Sequence, residues 1–455
     1  MSIELTAIIV FGLLFSLMAI RMPVGLALLV AGGVGIVLNS GLHVGMNVAG
    51  QSVYKATSNY VLFVIPMFIL LGAIVLHAGL GARLFSVANR LVGRAPGGLA
   101  ASTVVAVTVF SGVSGSSAAD VAAFGKLSVG QMRRHGYDPA VAASVVAAAG
   151  CFAVLIPPNV GIVVYGILSE QSIGALLLAG VIPGLVSCAV LAVAVIVRAK
   201  LWPTKLGSEA VRPEKRLSTG LSDDERSLRT ISLRSQVVAA LYALVLFVIV
   251  MGGIYSGNFT SAEAGAMGAF TAVIIALFTV RGRLRKFGTL MWRSLGDTLS
   301  TSSMIFLLLI GGTVFNYFIA SSGLASRIVV AMSSIDIPPL LLAAVFLLML
   351  LVLGMFLDGL STMLIVVPLV TPVVMAVGLD PLWFGILALK AIEIGLLTPP
   401  LGINVFVISG LLKDVSAESV FRQVTPFIVL DLAVTAAFFT FPGLILWLPQ
   451  MAGIT

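Results

Sequence analysis

The apolar residues of this chain lie in long runs separated by polar segments, and they do not alternate with polar residues as in half-exposed β-strands. A run of about 20 apolar residues can cross a bilayer as a helix, and barrel strands do not produce such runs. The pattern therefore predicts an all-α polytopic membrane protein. The predicted spanning helices lie near 4–20, 24–40, 60–78, 140–168, 175–197, 237–255, 262–280, 298–320, 382–412 and 425–448.

Four apolar segments are interrupted near their centres. Stretches 100–130 and 340–375 contain glycine and polar residues in the middle, which predicts two re-entrant hairpins. Arms of about ten residues would be about 15 Å long as helices, so each tip would reach the middle of the bilayer. Segments 140–168 and 382–412 each contain a Pro-Pro pair, which removes backbone donors and predicts a broken helix.

The composition indicates that most of the chain is embedded in lipid. Of the 455 residues, 59% are hydrophobic and 10% are charged, whereas soluble proteins carry about 25% charged residues. Residues 4–20 lack a basic flank and a cleavage site, which favours a retained first helix over a signal peptide. The two cysteines and three histidines are scattered, so neither a disulfide nor a transition-metal site is expected.

The net charge of +8 resides in loops between the predicted spans. This distribution favours the positive-inside pattern of a multi-pass inner-membrane protein over binding to nucleic acid. Segment 198–236, with nine Lys/Arg and five Asp/Glu residues, is predicted to be a cytoplasmic basic linker. If both hairpins return to the side they entered from, nearly all basic loops are cytoplasmic and both termini are periplasmic.

The two halves of the chain resemble each other. The segment from Gly136 to Pro158 aligns without a gap on the segment from Gly378 to Pro400, at an offset of 242. We predict a first repeat at 1–197 and a second at 237–455, each with five transmembrane helices and one hairpin. Because five is odd, the second repeat is inverted, and inverted repeats with broken helices are typical of secondary transporters.

The breaks carry the candidate chemistry. Serine hydroxyls between Ser111 and Ser117 and the carbonyls freed before Pro157 are hard oxygen ligands suited to a cation, and the amides that open the following half-helix suit an anion. The alternatives are close helix packing through small residues and a plain proline kink. No Walker A pattern is present, which excludes ATP hydrolysis by that route.

The second hairpin places Asp358 at its centre, where a carboxylate is costly in lipid. Three roles stay open from the residues alone: neutralising a bound cation, carrying a proton, or capping the following helical arm. Lys390 and Glu393, three residues apart on one helix face, favour a structural pairing.

Motifs along nearly the whole chain resemble the large membrane subunit of tripartite ATP-independent periplasmic (TRAP) transporters, the family with dicarboxylate and sialic-acid systems. The sequence departs from the family pattern at Lys390 and at Ala391, where asparagine is expected, which puts a finer substrate assignment in doubt. The matching segments are Gly112–Asp120, Arg133–Pro139, Ile156–Gly161, Tyr165-Gly166, Ala179–Leu185, Gly253–Tyr255, Ser261–Gly265, Gly354–Pro372, Gly378–Phe384 and Glu393–Asn404.

The resemblance implies a sodium-coupled elevator transporter, similar to the ion transporter superfamily, that carries a small organic anion such as a C4-dicarboxylate or a sugar acid. It implies a small four-helix membrane subunit and a periplasmic binding protein as partners, and no cofactor beyond sodium. By matching position, the implied ion-binding residues are Ser111, Ser114, Ser116, Ser117, Gly150, Pro157, Asp358, Ser361, Thr362, Thr398 and Pro400. The implied substrate-binding residues are Ser116, Asn159, Gly359 and Asn404.

Three other functions are compatible with parts of the pattern. A sodium/carboxylate symporter of related fold would work without a binding protein, and a passive channel would keep an open polar path. An intramembrane hydrolase could use Asp120 and Asp358 as an acid–base pair. However, Asp120 aligns with Thr362 in the repeat, and no set of nucleophile, base and orienting residue is visible.

Overall fold

The computed structural model describes residues 3–202, 233–280, 283–324, 327 and 338–453. Most of the predicted linker 198–236 lies outside this part of the chain. The described residues form 19 α-helices, a short 3-10 turn at Tyr60–Phe63 and no strand. The helices are α1 (Ile3–Ala19), α2 (Val24–Ser40), α3 (Leu42–Ser58), α4 (Val64–His77), α5 (Leu80–Val92), α6 (Gly98–Ser114), α7 (Ser117–Arg134), α8 (Pro139–Phe152), α9 (Val160–Ser169), α10 (Ile173–Leu201), α11 (Leu233–Tyr255), α12 (Ser261–Thr279), α13 (Leu284–Ser322), α14 (Pro339–Gly354), α15 (Gly359–Ala376), α16 (Pro381–Leu397), α17 (Ile403–Leu411), α18 (Ala417–Thr440) and α19 (Gly443–Met451).

Seven helical stretches of the described chain are long and apolar enough to cross a membrane. They are Tyr60–His77, Ile173–Leu201, Ser235–Tyr255, Ser261–Thr279, Leu284–Ser322, Gly359–Ala376 and Ala417–Thr440. The predicted spans 4–20 and 24–40 form the 17-residue helices α1 and α2. Both predicted broken helices are interrupted at their proline pairs, which divide them into α8 with α9 and α16 with α17.

The apolar pattern does not reveal three helical segments. Helices α3 and α5 and the first third of α13 mix charged residues with apolar ones, so no uniform apolar run marks them. In α5, Leu80, Leu84, Phe85 and Ala88 are buried on one face. Such amphipathic helices suit the interface between lipid and water.

The helix boundaries of the two halves match, as the sequence repeat predicts. Asp138 caps α8 by accepting from two backbone amides at 2.8 and 3.1 Å, and Asp380, 242 positions later, caps α16 at the same two distances. Ser116 and Asp358, also 242 apart, are the N-caps of α7 and α15. The local structure of the repeat is therefore set by equivalent capping residues.

The first hairpin consists of α6 and α7. Tyr137, just beyond the end of α7, is within hydrogen-bonding reach of the backbone of Leu99 and Ala100 at the start of α6. The rings of Phe110 and Phe124 also meet across the hairpin, with centroids 5.2 Å apart. The chain therefore returns to its starting side, as the interrupted pattern predicts.

The predicted arm length of about ten residues is wrong. Helices α6 and α7 contain 17 and 18 residues, or about 25 Å each. Helices α14 and α15 of the second hairpin contain 16 and 18 residues. The apolar pattern gives hairpin arms that are too short, because the polar residues near each tip also belong to the helices. The tips are positioned by their contacts with the helix breaks, and arm length alone does not place them.

Four side-chain contacts link distant loops and helix ends, and each joins groups that the basic-loop pattern assigns to one side. They are Arg133 with Asp414 at 2.7 Å, Arg198 with the Gln423 carbonyl at 3.1 Å, His77 with Asp297 at 2.7 Å, and Arg327 with Glu4. The first three belong to the predicted cytoplasmic side and the last to the opposite side.

Helices α2 and α13, one from each repeat, cross at very close range. A Cβ atom on Gly32 would lie 2.7 Å from Phe315 Cα, and one on Gly25 would lie 2.7 Å from the Leu307 carbonyl oxygen. Glycine permits this approach because it has no side chain, and small residues at helix crossings are typical of membrane bundles. This crossing joins the two repeats outside the hairpins.

Candidate functional site

The first tip, defined as residues 111–117, lies against the first helix break at 153–159. A Cβ on Gly112 would be 3.0 Å from the Pro157 carbonyl oxygen, and one on Gly115 would be 3.1 Å from the Val160 amide nitrogen. A side chain at either glycine would force the neighbouring backbone to shift. The structure thus brings the first tip into contact with the first break.

The serines of the first tip differ in their surroundings. Ser111 is buried, and its hydroxyl has no hydrogen-bond partner among the described residues. Ser117 is buried at the start of α7, and a Cβ on Gly150 would be 2.9 Å from its carbonyl oxygen. Ser116 is exposed and caps α7 through the Ala119 amide. The Ser114 side chain lies outside the described residues.

Asn159 connects the first break to α9. Its Oδ1 atom accepts hydrogen bonds from the amides of Gly161 at 2.7 Å and Ile162 at 3.3 Å, which caps the helix. The side chain is 1% exposed, and its Nδ2 group has no partner within the described chain. A buried donor without a partner is costly, which makes the Nδ2 group of Asn159 an exception among buried polar groups.

The second tip, defined as residues 358–362, is organised by Asp358. One carboxylate oxygen accepts from the Ser361 amide at 3.0 Å, and the other accepts from the Ser361 hydroxyl. The Thr362 hydroxyl donates to the Asp358 carbonyl oxygen at 3.0 Å. Asp358 therefore caps α15, which was one of the three roles left open by the sequence.

The second tip meets α16 one turn ahead of the second break. A Cβ on Gly359 would lie 3.4 Å from the Ile392 side chain and 4.0 Å from a Glu393 carboxylate oxygen. Thr398 ends α16, and its hydroxyl donates to the Ile394 carbonyl oxygen at 2.7 Å. Pro400 is exposed, whereas all of 153–159 in the first break is buried. The two repeats are thus in different environments at equivalent positions.

Asn404, at the start of α17, joins the second broken helix to the first. Its Nδ2 group donates to the Cys151 sulfur at 2.9 Å, near the end of α8. The residue is fully buried, and its Oδ1 atom has no hydrogen-bond partner in the part of the chain that the structure describes. Asn159 and Asn404 therefore supply a free donor and a free acceptor.

Each hairpin packs against the broken helix of the other repeat. A Cβ on Gly125 in α7 would be 2.7 Å from Ile408 in α17, and one on Gly161 in α9 would be 3.6 Å from Met363 in α15. These contacts bring residues of both repeats together within the bundle.

The predicted pairing of Lys390 with Glu393 is wrong, because the ion-pair partner of Lys390 is a different residue. Lys390 forms its ion pair with Asp431 of α18, and both side chains are fully buried. Glu393 instead faces the Ser117 hydroxyl and the Cys151 thiol. Spacing along one helix could not reveal Asp431 as the partner of Lys390. A charged residue inside an apolar span is nevertheless a signal in the sequence, because such residues are usually paired or functional.

Residues 11–444 match the family model described as "Tripartite ATP-independent periplasmic transporter, DctM component". The chain belongs to the DctM family. Among its relatives, the sialic acid TRAP transporter large permease protein of Vibrio cholerae is 34% identical over 97% of this chain and 96% of the relative. The 2,3-diketo-L-gulonate permease of Escherichia coli is 32% identical over 97% and 98%.

A third relative, the C4-dicarboxylate TRAP transporter large permease protein of Pseudomonas aeruginosa, is 32% identical over 88% of this chain and 89% of the relative. These relatives are transport permeases and not enzymes. The YdaH transporter of Alcanivorax borkumensis has a similar fold, with a TM-score of 0.62 over 90% of each chain at 14% identity. The family match and the long apolar helices together identify this chain as a multi-pass membrane transporter subunit.

Proposed function

We propose that this protein translocates a small organic anion across the inner membrane, driven by a sodium gradient. The observation that carries the proposal is the meeting of two hairpin tips with two broken helices, where Ser111, Asn159 and Asn404 keep buried polar atoms without partners among the described residues. A site of this kind is suited to ions and to a polar ligand, because it offers backbone and side-chain groups inside an apolar bundle.

The sodium sites are proposed at the two tips. In the first, Ser111, Ser114, Ser116 and Ser117 would act with Gly150 and Pro157, because Gly112 approaches the Pro157 carbonyl oxygen and Gly150 approaches the Ser117 carbonyl oxygen. In the second, Asp358, Ser361 and Thr362 would act with Thr398 and Pro400. Oxygen ligands are appropriate because sodium, like other hard cations, is bound by oxygen.

The substrate is proposed to be a carboxylate bound between the tips, near Ser116, Asn159, Gly359 and Asn404. The free Asn159 N–H group would donate to an anionic oxygen, and the Asn404 oxygen would accept from a hydroxyl of the substrate. Relatives named for sialic acid, C4-dicarboxylates and 2,3-diketo-L-gulonate support this class, because each of these compounds carries a carboxylate.

The proposed mechanism is an elevator. The hairpins and broken helices, α6–α9 and α14–α17, would move as one body against a scaffold that includes α2, α4, α12 and α13. The proposed partners are a small four-helix membrane subunit and a periplasmic binding protein that delivers the substrate. Both termini are proposed to be periplasmic.

Reconstitution tests the proposal. Proteoliposomes would contain this chain with its small subunit, and purified binding protein loaded with a radiolabelled carboxylate would be added outside. We expect uptake only with an inward sodium gradient and the binding protein together. Robust sodium-driven uptake without the binding protein would instead identify a binding-protein-independent symporter, and uptake that does not saturate would identify a channel.

A further inference from the structure

An apolar groove of about 330 Å³ lies beside the first hairpin. Its walls come from α5, α6, α10 and α11, and its inner end reaches the first helix break. Its exposed lining residues are apolar: Leu91 is 74% exposed, Leu244 is 57% exposed and Leu185 is 55% exposed. Pockets that hold a ligand usually have volumes of about 300–1,000 Å³, so the groove is large enough for an apolar ligand.

The lining of the groove offers almost nothing for water to bind. Among the lining residues of the described chain, Thr108 alone has a polar side chain, and its hydroxyl donates to the Val104 carbonyl oxygen at 2.7 Å. A buried water needs about two to four polar partners, so this groove excludes water. Because α10 and α11 are long and apolar enough to span a membrane, the medium outside the groove is lipid. An acyl chain is therefore the available occupant.

The end of α5 carries positive charge beside the groove. Segment 80–94 contains three arginines and no acidic residue. Val87 and Leu91 line the groove, and Arg90 and Arg94, each three positions later, are exposed. Residues three apart are neighbours on a helix surface, so both arginines lie at the edge of the groove. Guanidinium groups bind phosphate well, which favours a lipid with an anionic headgroup.

The groove also lies between parts of the molecule that the proposed elevator would separate. Val109 and Gly112 of α6 line one wall, whereas Leu84 of α5 and Phe247 of α11 line another. Gly112 belongs to the first tip, and Ile156 of the first break closes the inner end. A chain in the groove would therefore contact the tip and the break while it packs on helices outside the proposed moving body.

We propose that this groove binds one acyl chain of an anionic phospholipid, whose phosphate lies beside Arg90 and Arg94. The chain fills the space between the first hairpin and helices α5 and α11. An empty groove would forfeit the van der Waals contacts of its lining atoms, and a flexible chain keeps these contacts as the hairpin moves. The lipid site is independent of the proposed function, whereas its effect on transport rests on that function.

Photocrosslinking tests the site directly. The protein is reconstituted in phosphatidylcholine vesicles with a minor fraction of phosphatidylglycerol or phosphatidylcholine that carries a diazirine on one acyl chain. Labelled peptides are then mapped by mass spectrometry. We expect labelling to concentrate on the lining segments 84–91, 105–112 and 240–247. Phosphatidylglycerol should label them at least about fivefold more strongly, the factor that corresponds to one arginine near an anionic headgroup.

Three outcomes of this experiment would overturn the proposal. The first is labelling of the groove no stronger than labelling of other lipid-facing helices. The second is equal labelling by the two lipids, because the anionic headgroup is part of the proposal. The third concerns a protein occupant: if adding the proposed small membrane subunit abolishes the labelling, that subunit covers the groove in place of a lipid.

Variants that fill the groove should displace the chain. Ala243 of α11 is a half-buried lining residue, so Ala243→Phe should reduce labelling of the groove to the level of the other lipid-facing helices. Ala240→Leu is a smaller change at a second lining residue, for use if the phenylalanine prevents folding. Val248→Phe is the matched control, because Val248 is 56% exposed on α11 outside the groove. Undiminished labelling in both filled variants would overturn the proposal.

The headgroup contact has its own variants. Arg90→Gln with Arg94→Gln should remove the preference for phosphatidylglycerol while labelling by phosphatidylcholine continues. Arg283→Gln with Arg285→Gln, an exposed pair at the start of α13, is the matched control and should keep the preference. A preference that survives in the first pair would show that these arginines do not bind the headgroup.

Uptake measurements test the consequence for transport, with the small subunit and binding protein present. We expect the wild-type initial rate to fall several-fold when phosphatidylglycerol is omitted from the vesicles, and the rate of Ala243→Phe to be the same in both compositions. A wild-type rate that does not depend on phosphatidylglycerol would overturn the transport role of the lipid. Absence of sodium-driven uptake in every vesicle, with groove labelling intact, would contradict the proposed function instead.

Discussion

At the residue scale, the site is defined by polar atoms that the fold buries without pairing. Buried polar groups are nearly always hydrogen-bonded in proteins. The unpartnered atoms of Ser111, Asn159, Glu393 and Asn404 are therefore informative, since these residues belong to the first tip, the breaks and the helices beside them. Asn159 separates two roles within one side chain, because one end caps a helix and the other is free.

Replacing Asn159 by serine should separate these roles. Serine caps a helix as well as asparagine does, so Asn159→Ser should keep its thermal stability but lose the free N–H group. If that group donates to an anionic substrate, KM should rise by roughly 10- to 100-fold, which corresponds to about 1.5–3 kcal/mol. Uptake kinetics and a detergent melting curve measure both effects.

Asn159→Ala is the control for the cap. It should lose the donor and also cost about 1 kcal/mol of stability. A wild-type KM in Asn159→Ser would show that the free N–H group does not bind substrate.

Asp358 also combines two roles, because its carboxylate caps α15 and carries a negative charge. Asparagine and aspartate are equivalent N-caps, so Asp358→Asn should keep α15 intact while it removes the negative charge. If the carboxylate neutralises sodium, the sodium concentration for half-maximal uptake should rise at least about tenfold, since hydrogen bonds and contacts to charged groups contribute about 1.5–3 kcal/mol.

The comparison variant is Asp358→Ala, which loses both the charge and about 1 kcal/mol of helix stability. Unchanged sodium dependence in Asp358→Asn would leave capping as the role of Asp358.

At the element scale, glycines set how closely the hairpins approach the broken helices. A Cβ on Gly395 in α16 would lie 2.5 Å from the Leu351 carbonyl oxygen and 2.7 Å from the Gly354 carbonyl carbon of α14. Backbone atoms cannot move aside as a flexible side chain can. This contact fixes the second hairpin against the helix that precedes the second break.

Gly395→Ala should therefore destabilise the protein by about 1–3 kcal/mol, the usual range for overpacking. Gly410→Ala is the matched control, because Gly410 lies in α17, is exposed, and has no atom within 4 Å of its built Cβ. Its helical alanine should be neutral or stabilising by up to about 1 kcal/mol. Equal melting temperatures for the two variants in detergent would show that the α14–α16 contact is not close in solution.

At the scale of the whole molecule, the proposed elevator requires the hairpins to move against the scaffold. A Cβ on Gly312 of α13 would lie 3.8 Å from the Leu364 Cβ of α15, a separation that matches disulfide geometry. A Gly312→Cys, Leu364→Cys protein should form a disulfide under mild oxidation. Its uptake should then stop and return after reduction.

A second cysteine pair within the scaffold is the control. A Cβ on Gly265 of α12 would lie 3.2 Å from the Met67 Cβ of α4, just below the usual disulfide separation of about 3.5–4.5 Å, so Gly265→Cys with Met67→Cys brings two thiols together after a small shift. Oxidation of this pair should leave uptake in place. Full activity of the oxidised Gly312–Leu364 protein would contradict movement between α13 and α15.

The features that could be read from the chain are local ones. Apolar runs locate most of the spans, Pro157 and Pro399 mark both breaks, and equivalent caps such as Asp138 and Asp380 follow the sequence repeat. These predictions succeed because proline geometry, helix capping and burial of an apolar run each depend on neighbouring residues. The apolar pattern does not predict the amphipathic helices α3 and α5, because their apolar residues lie on one face of the helix and form no continuous run.

Tertiary packing alone decides which distant side chains share an environment. Glu393 meets Ser117, Lys390 meets Asp431, and Asn404 meets Cys151, and each pair joins different helices. No spacing encodes these contacts, because they arise when helices of the folded bundle pack together: Glu393–Ser117 and Asn404–Cys151 join the two repeats, and Lys390–Asp431 joins two helices of the second repeat. The chain thus specifies where its helices end and break, and the packing of the two repeats specifies which buried charges meet at the site.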